Sequence, residues 1–485
     1  MEKKVLLNSF EQNKKIIQKV VKENEDVVFR DFSIANNKAT LIYLLGLSDV
    51  NQLSKFVLLP CTKITQLPDE DKFKYLMENY ICVMQGEEKN DLQEVVKELL
   101  KGKAILLLDN ESTALILSTD TCKERSLSEP PTSAVLKGPR TGFVENIKTN
   151  LSEVRKILST PDYKTIQLNV GKYTNTIISI VYISSIADKS IVAKVVEQIK
   201  SIDIDGVIDS YYVAQFLEKR KYSMFKQVGN CEKPDIFCAK LLEGRVGILV
   251  DGSPIALTVP FLLLEDFQSA NDYFSQHSNA SFVRILRLFS LFITIMLPGM
   301  YISIQLHHYK TIPLKFLVTI INSTQGLPLT PFAEILFVLI LFEVLYEASL
   351  RMPKYLGLAL SIVGALILGD TAVKAGLISP PAVMMVALSG ITLYTAPDQA
   401  QQLSICRFLF TLAGGFLGFF GIVSLLIFLV VYLNDFDSYG SPYLAPFSPI
   451  ISKDLKDSIV KTDITKMKER PYSIKNKNKV RLRRK

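Results

Sequence analysis

The sequence predicts an α/β fold joined to a polytopic α-helical membrane domain: two tandem, related, thioredoxin-like α/β subdomains, then about four to five transmembrane helices, then a basic tail. Charged residues are mixed throughout the chain up to about residue 287, whereas uncharged runs able to cross about 30 Å of hydrocarbon recur between residues 288 and 433. A pattern of strand, helix, helix and hairpin occurs twice in the first half. With 485 residues, at about 150 residues per domain, the chain has room for these parts.

The duplicated pattern is clearest in two segments that align without a gap, residues 102–117 and 244–259. Each has a β-rich run, a turn that contains Asp109 or Asp251, and a second run, which is typical of a hairpin. A helical pattern precedes each hairpin, and an apolar strand followed by an amphipathic helix lies further upstream. In the two copies these are residues 39–46 and 177–184 for the strand, 51–59 and 190–202 for the first helix, and 92–100 and 234–242 for the second.

We therefore predict four regions along the chain. A Pro-rich stretch at 128–133 separates the two α/β subdomains. Residues 453–485 contain 13 Lys and Arg against 4 Asp and Glu, so the net charge of +8 is concentrated in the tail. Beside membrane spans, this basicity indicates the cytoplasmic side and contact with anionic membrane lipids rather than with nucleic acid. The predicted regions are 1–135 and 136–280 for the subdomains, 281–435 for the transmembrane domain and 436–485 for the basic cytoplasmic tail.

Enzyme motifs are absent from the sequence. It has no G-x-x-x-x-G-K-[ST], G-x-G-x-x-G or G-x-S-x-G, and its three histidines, His277, His307 and His308, lie outside the two hairpin-containing repeats. The six cysteines form no C-x-x-C pair. We therefore expect no catalytic residue, no cofactor and no metal, and we attribute Asp109 and Asp251 to turns in which the carboxylate bonds its own backbone. The polar start predicts no signal peptide, so the α/β half is expected in the cytosol.

Two membrane crossings are strongly indicated. Residues 288–306 are uncharged and follow Arg284 and Arg287, as the positive-inside rule expects. Residues 408–433 are also uncharged, and a neighbouring helix can pack closely against glycines on or near one face. These helix-packing candidates are Gly414, Gly418 and Gly421. Two further crossings, forming a hairpin, are predicted at 355–369 and 380–396.

The segment 330–351 carries three carboxylates in an otherwise apolar helix. Glu343 and Glu347 lie four residues apart on one stripe, and Glu334 falls on roughly the opposite side. Acidic residues at membrane depth normally face protein or water, so this helix is a candidate for lining a cation path or an inter-subunit contact. The alternative is an interfacial amphipathic helix whose acids lie at the headgroups.

Asp370, Lys374 and Arg407 also lie within the predicted membrane domain. Asp370 and Lys374 are candidates for the same pore or inter-subunit surface, although their spacing also predicts a local pair that neutralises itself. Arg407 is interpreted as a snorkelling anchor at a helix end. A cytosolic first half and a cytosolic tail require an even number of crossings, which favours four, with 331–349 interfacial or re-entrant.

Several motifs resemble those of the A subunits of spore germinant receptors, the GerA family. Residues 138–145 resemble the family's G-P-R-x-G-F-x-E element, and residues 243–254 resemble its E-G-R-V-x-I-L-V-D-G-S-P element. The membrane half adds similar strings at 297–301, 343–353, 375–380 and 442–446. The motif residues assigned through this resemblance are Gly138, Pro139, Arg140, Gly142, Arg245, Asp251, Gly252 and Pro254.

This resemblance implies a multi-pass protein of the inner spore membrane that forms a homo-oligomer, expected to be a pentamer, and acts as a nutrient-gated ion channel in germination. It also implies two partners, a transporter-like B subunit that recognises the nutrient and a C-subunit lipoprotein. A related branch, stage V sporulation protein AF, shares these motifs and is resembled equally well.

The leading hypothesis is therefore an oligomeric pore lined partly by residues 331–349, with Glu343 or Glu347 attracting cations. The alternatives are a non-conducting membrane scaffold and an accessory channel similar to stage V sporulation protein AF. A secondary transporter is disfavoured, because the duplicated part is soluble and the spans show no inverted repeat.

Overall fold

The computed structural model describes residues 5–68, 70–119, 137–351 and 369–482. The predicted Pro-rich linker and, apart from Gly369, the predicted crossing at 355–369 lie outside the described residues. The chain divides into two compact units. The amino-terminal unit contains Met1–Phe261, Ser438–Ser441 and Met467–Lys485, and the helical unit contains Leu262–Asp437 and Pro442–Lys466.

The amino-terminal unit contains two five-stranded sheets. The strands of the first are β1 (Val27–Ile34), β2 (Asn37–Leu44), β3 (Gly86–Lys89), β4 (Ala104–Leu108) and β5 (Ala114–Leu117). Those of the second are β6 (Tyr163–Val170), β7 (Thr176–Ile183), β8 (Gly229–Cys231), β9 (Val246–Val250) and β10 (Ala256–Val259). The strand orders, β1-β2-β4-β5-β3 and β6-β7-β9-β10-β8, are the same topology written twice. The duplication read from the sequence is therefore present in the fold.

The strands of both sheets pair in one way. Every pairing that the structure describes within the two sheets is antiparallel. The predicted thioredoxin-like fold is not confirmed. The sequence pattern also missed β3, since this exposed edge strand is mostly charged and lacks the apolar alternation that marks a half-buried strand.

Helices cover both faces of the first sheet. Its helices are α1 (Phe10–Val20), α2 (Val50–Gln52), a π-helical turn (Leu53–Leu58), α3 (Leu59–Thr62), α4 (Lys72–Asn79) and α5 (Leu92–Leu100). In β4, Ile105 and Leu107 pack in the core beside α1 and α5, whereas Leu106 and Leu108 pack in a second core beside α3 and α4. Because successive side chains of a strand point to opposite faces, burial on both faces explains the unbroken apolar run of β4.

The second sheet repeats this arrangement, with two cores and helices α6 (Ile147–Ile157), α7 (Lys189–Lys200), α8 (Ser210–Leu217) and α9 (Pro234–Glu243). Both predicted hairpins, β4–β5 and β9–β10, are present, and their turns contain Asn110 and Gly252 at positive φ, which these residue types tolerate. The interpretation of Asp251 was wrong: its Oδ1 accepts the backbone N–H of Ile147, the first residue of α6, at 3.1 Å.

A buried ion pair joins the two sheets. Arg155 of α6 donates to Asp26, just before β1, through Nε at 3.1 Å and Nη2 at 2.6 Å. The guanidinium also lies 4.1 Å from the ring centroid of Tyr163. Both charged groups are almost completely buried, and burial raises the pKa of the Tyr163 hydroxyl. The two duplicated halves are therefore fixed to one another by a contact that neither repeat contains alone.

The helical unit contains α10 (Ala270–Tyr273), α11 (His277–His307), α12 (Leu314–Thr324), α13 (Pro331–Arg351), α14 (Pro380–Leu393) and α15 (Ala400–Asn434). Two helices among the described residues are long and apolar enough to cross a membrane, α11 and the helix Pro397–Asn434 that includes α15. They contain the two crossings that the sequence indicated most strongly.

The remaining predicted crossings are not confirmed. Helix α14 has 14 residues and is therefore about 21 Å long, which is short for a hydrocarbon layer of about 30 Å. Helix α13 has 21 residues, a sufficient length, but it carries the three glutamates. A total of four to five crossings is thus an expectation that the described helices do not establish.

The basic end of the chain is part of the amino-terminal unit. Arg470 Nε donates to the carbonyl of Leu242 at 2.7 Å, and the backbone N–H of Lys477 donates to the carbonyl of Ile186 at 2.8 Å. Two short strands, β11 (Asp437–Ser438) and β12 (Ser441–Pro442), precede this segment. The tail is therefore divided between the two units, and its most basic part packs on the second sheet's subdomain.

Candidate functional site

A chain of polar contacts connects four helices of the helical unit. Arg407 of α15 donates through Nη2 to Glu343 Oε2 of α13 at 2.9 Å, and Ser404 Oγ donates to the same oxygen at 3.2 Å. Arg407 Nη1 lies 3.5 Å from Ser389 Oγ of α14. Ser389 Oγ donates in turn to the carbonyl of Thr294 in α11 at 2.9 Å. We call this chain of five residues the four-helix polar network.

The proline inside α11 explains one end of the network. Pro298 has no N–H, so the carbonyl of Thr294, four residues earlier, lacks its helical donor. Ser389 Oγ supplies the missing hydrogen bond. The sequence gives no signal for Ser389 or Thr294, because the partner of a freed carbonyl comes from another helix.

The two charged members of the network differ in exposure. The Arg407 side chain is 4% exposed, whereas that of Glu343 is 46% exposed. Arg407 is therefore not a snorkelling anchor at a helix end, as the sequence suggested, because its guanidinium is buried and paired with a carboxylate 64 residues away. Glu343 has one side on this cation and the other on the surface of the helical unit.

The other carboxylates of the predicted surface form exposed local pairs. Glu347 accepts from Arg351 at 2.6 Å, and Asp370 accepts from Lys374 at 2.6 Å, each across one helical turn. Each of these acids therefore has a neighbouring cation, and the acidic stripe of α13 carries little net charge. Exposed pairs of this kind contribute about 0.5 kcal/mol each.

Glu334 lies apart from this stripe and is buried. Its Oε1 accepts the backbone N–H of Ser379, the residue that precedes α14. A carboxylate at this position satisfies a free backbone donor and interacts favourably with the positive end of the helix dipole. Glu334 thus attaches α13 to the start of α14.

The three glycines occupy different environments. A Cβ on Gly414 would overlap the carbonyl of Gly299, so α11 and α15 approach closely at this point. Gly418 has φ of 63° and breaks the helix, and a Cβ at this position would lie 3.1 Å from the His307 ring. At Gly421 a Cβ would lie 2.5 Å from the carbonyl of Ala413 in the same helix. A Cβ at Gly414 or Gly418 would therefore meet the neighbouring helix α11, whereas a Cβ at Gly421 would meet its own helix.

Comparison with known proteins identifies the family of this chain. A family model described as Bacillus/Clostridium GerA spore germination protein matches residues 15–473. The chain belongs to the GerA family.

Relatives match this GerA protein along nearly its full length. It is 33% identical to spore germination protein KA of Bacillus subtilis (strain 168), over 99% of this chain and 89% of that protein. It is 31% identical to spore germination protein A1 of the same strain, over 99% and 98%. It is 30% identical to spore germination protein GerLA of Bacillus cereus, over 97% and 96%.

One solved structure is also similar, the crystal structure of the N-terminal domain of the A subunit of the Bacillus megaterium spore germinant receptor GerK3. The match has a TM-score of 0.44 and 28% sequence identity, and it covers 54% of this chain and 99% of that one.

The two sequence motifs of this GerA protein lie against one another in the second subdomain. The backbone N–H of Gly252 donates to the carbonyl of Glu145 at 2.8 Å, and Asp251 caps α6. Gly138, Pro139 and Arg140 are exposed, Gly142 and Arg245 are buried, and Pro254 is partly buried. The carbonyl of Pro139 accepts from the buried Lys233 at 2.7 Å, and Arg245 Nη1 donates to the carbonyl of Pro260 at 2.8 Å. These contacts give the motifs a structural role.

Two cysteines in the amino-terminal unit of this GerA protein, Cys61 and Cys238, are buried. Burial raises the pKa of Cys61 to about 12 and raises that of Cys238 as well, so both thiols stay protonated at neutral pH. Among the described residues, no group of three or more His, Cys, Asp or Glu side chains is placed to hold a metal ion. The four-helix polar network is the candidate site, because it pairs a buried guanidinium with a partly exposed carboxylate.

Proposed function

We propose that this GerA protein is the A-type subunit of a germinant receptor in the inner spore membrane, and that copies of it assemble around a nutrient-gated ion pathway that triggers germination. Its relatives, spore germination proteins KA, A1 and GerLA, support the receptor role. The expected partners are a transporter-like B subunit, which senses the nutrient, and a C-subunit lipoprotein. The expected homo-oligomer is a ring, with five copies as the family resemblance implies.

The ends of α11 and α15 support a topology with an even number of crossings. Residues 442–466, which we call the strap, contact both helices within the helical unit. Arg284 of α11 pairs with Asp457 of the strap at 2.9 Å, and Asn434 at the end of α15 accepts from Ser448 Oγ at 2.6 Å. These contacts favour a topology in which the beginning of the first span and the end of the last span lie on the same side of the membrane. The positive-inside rule makes this side cytoplasmic.

The partial exposure of the Glu343 carboxylate is the observation that supports the conduction proposal. A carboxylate that is 46% exposed on an apolar helix of a membrane protein requires water or protein beside it, because lipid would leave its charge unsolvated. A ring of copies with α13 toward the axis supplies that water. Glu347, one turn further, presents its exposed pair with Arg351 to the same passage.

Ion flux through liposomes that contain the receptor tests this proposal. The variants change the exposed pair of Glu347 and Arg351, because a change at Glu343 would leave Arg407 unpaired. Glu347→Gln removes one negative charge per copy, and Arg351→Gln removes one positive charge at the same surface. Potassium flux should fall in the first variant and rise in the second, by at most about fivefold each, because an exposed charge contributes about 1 kcal/mol or less. Equal flux in both variants and the unmodified protein would remove α13 from the ion pathway.

The second candidate function is a membrane-anchored scaffold that organises germination proteins without conducting ions, and it is favoured by the near-neutral charge of the paired stripe on α13. The two functions differ in assembly and in flux. A ring of copies with stimulus-dependent flux supports the channel, whereas a monomer, or a ring without flux under any stimulus, supports the scaffold. Flux without dependence on nutrient or B subunit would instead favour an accessory channel similar to stage V sporulation protein AF.

A further inference from the structure

Exposed apolar side chains on α11 begin earlier in the chain than its uncharged run. On α11, Phe282, Ile285 and Phe289 form one exposed apolar stripe, while Arg284 on the opposite side is 2% exposed. Apolar residues outside and charged residues inside are the reverse of the pattern for a helix in water. This pattern is typical of a helix surrounded by lipid, and it begins two turns before the first uncharged residue of the span.

The strap lies at the level of these first two turns. Arg284 Nε pairs with Asp272 at 3.1 Å and its Nη1 pairs with Asp457 of the strap at 2.9 Å. Lys461 Nζ, also in the strap, donates to the carbonyl of Asp272 at 2.7 Å. Several hydrogen bonds and ion pairs therefore hold the strap against the part of α11 that carries Phe282 and Ile285.

The length of α11 indicates how deep in a membrane its first two turns would lie. From Phe282 to Leu306 the helix rises about 36 Å, which exceeds the hydrocarbon thickness of about 30 Å but fits within the full bilayer with its headgroups. The two ends of this stretch must therefore lie among the headgroups. The strap, bound at the amino-terminal end, is at the headgroup layer on the cytoplasmic side.

The surface of the strap combines large apolar and basic side chains. Ile450 is 76% exposed, and Val460 and Ile464 are also exposed. Lys456 and Lys466 are exposed along the same segment. The strap contains four lysines and three aspartates, and one of these aspartates, Asp457, is paired with Arg284. The segment therefore has a small positive net charge.

We propose that the strap is a membrane-surface element that binds anionic phospholipids. Ile450, Val460 and Ile464 insert between the headgroups, and Lys456 and Lys466 contact their phosphates. This inference rests on the membrane position proposed above for α11, but not on ion conduction. It assigns lipid binding to residues 442–466, whereas the sequence alone pointed to the more basic end of the tail, which packs on the amino-terminal unit.

Spin labels on the full-length chain in vesicles test this proposal. Labels are attached at Ile450→Cys and Ile464→Cys in a background in which Cys82 and Cys122 are replaced by Ser. Collision with oxygen reports lipid contact, and collision with a water-soluble nickel chelate reports water contact. Phe289→Cys serves as the control for a lipid position, and Tyr222→Cys, fully exposed in the amino-terminal unit, as the control for water.

In vesicles of equimolar phosphatidylcholine and phosphatidylglycerol, labels at both strap positions should show an oxygen-to-nickel ratio severalfold above that of the water control. The ratio should fall in phosphatidylcholine alone and in Lys456→Gln/Lys466→Gln. A ratio equal to the water control, or shielding from both reagents, would overturn the proposal, the second because it indicates a protein interface. Equal ratios in the two lipids would overturn the binding of anionic headgroups. A water-like value for the Phe289 label would instead contradict the membrane position of α11.

Discussion

Replacing Glu343 by Gln should destabilise the helical unit more than replacing its partner Arg407 by Gln. The Glu343 variant leaves a guanidinium that is 4% exposed without its counter-charge, and breaking a buried pair in this way costs about 3–5 kcal/mol. In the Arg407 variant the remaining carboxylate is 46% exposed and is solvated if the passage beside α13 is wet. That variant loses an ion-pair attraction of the size found at exposed sites, about 0–1 kcal/mol. It also loses one hydrogen bond to Ser389, which contributes about 1 kcal/mol.

The difference between the two variants is therefore at least about 1–2 kcal/mol, or about 2–8 °C in the unfolding midpoint of a unit of this size. Cys406, buried beside Arg407, is a natural reporter: with the other cysteines replaced, a thiol-reactive dye reads the opening of α15 during heating in lipid nanodiscs. Glu347→Gln, at an exposed pair, is the matched control and should change stability by no more than about 0.5 kcal/mol. If the Arg407 variant is as unstable as the Glu343 variant, or less stable, Glu343 faces lipid and the wet passage is refuted.

Three further outcomes are expected. Asp26→Asn should cost about 3–5 kcal/mol in urea unfolding, because it leaves Arg155 buried and unpaired, whereas Asp26→Leu with Arg155→Met should recover most of that loss. Gly414→Leu should lower the dye-reported midpoint by separating α11 from α15, while Gly390→Ala should leave it unchanged, since a Cβ there meets no atom closer than 4.0 Å. Two neighbouring lysines hold the pKa of Glu98 at about 2, below the unfolded value of about 4.3, so its stabilisation should be lost as pH falls through this range and Glu98→Gln should abolish that part of the acid sensitivity.

Sequence patterns predicted those helices and strands whose own residues show which side is buried. The apolar runs of β4 and β9 and the turn residues after them fixed both hairpins, and the helix over Leu92–Leu100 has the predicted bounds. The uncharged runs located the two membrane-crossing helices. Edge strand β3 and the antiparallel sheet were missed, because an exposed edge has no apolar period and strand direction depends on which distant strands pair.

For the candidate site, the sequence identified the acids but not what they do. The spacing of Glu343 and Glu347 placed both on one stripe, and Glu347 pairs with Arg351 one turn away as helical geometry predicts. The partner of Glu343 is Arg407, on another helix, and no periodicity along one helix reports such a contact. Glu334 was grouped with the other acids by composition, although the structure gives it the separate role of capping α14.

The order of apolar and charged residues along the chain was sufficient to determine the duplicated α/β half, the two long spans and the membership of the GerA family, because these properties are encoded in neighbouring positions. Tertiary packing alone decided which carboxylate is neutralised, which is buried and where the tail binds. The reason is that the energy of a charge depends on its solvation and on its nearest counter-charge, and both are set by residues far away in the sequence.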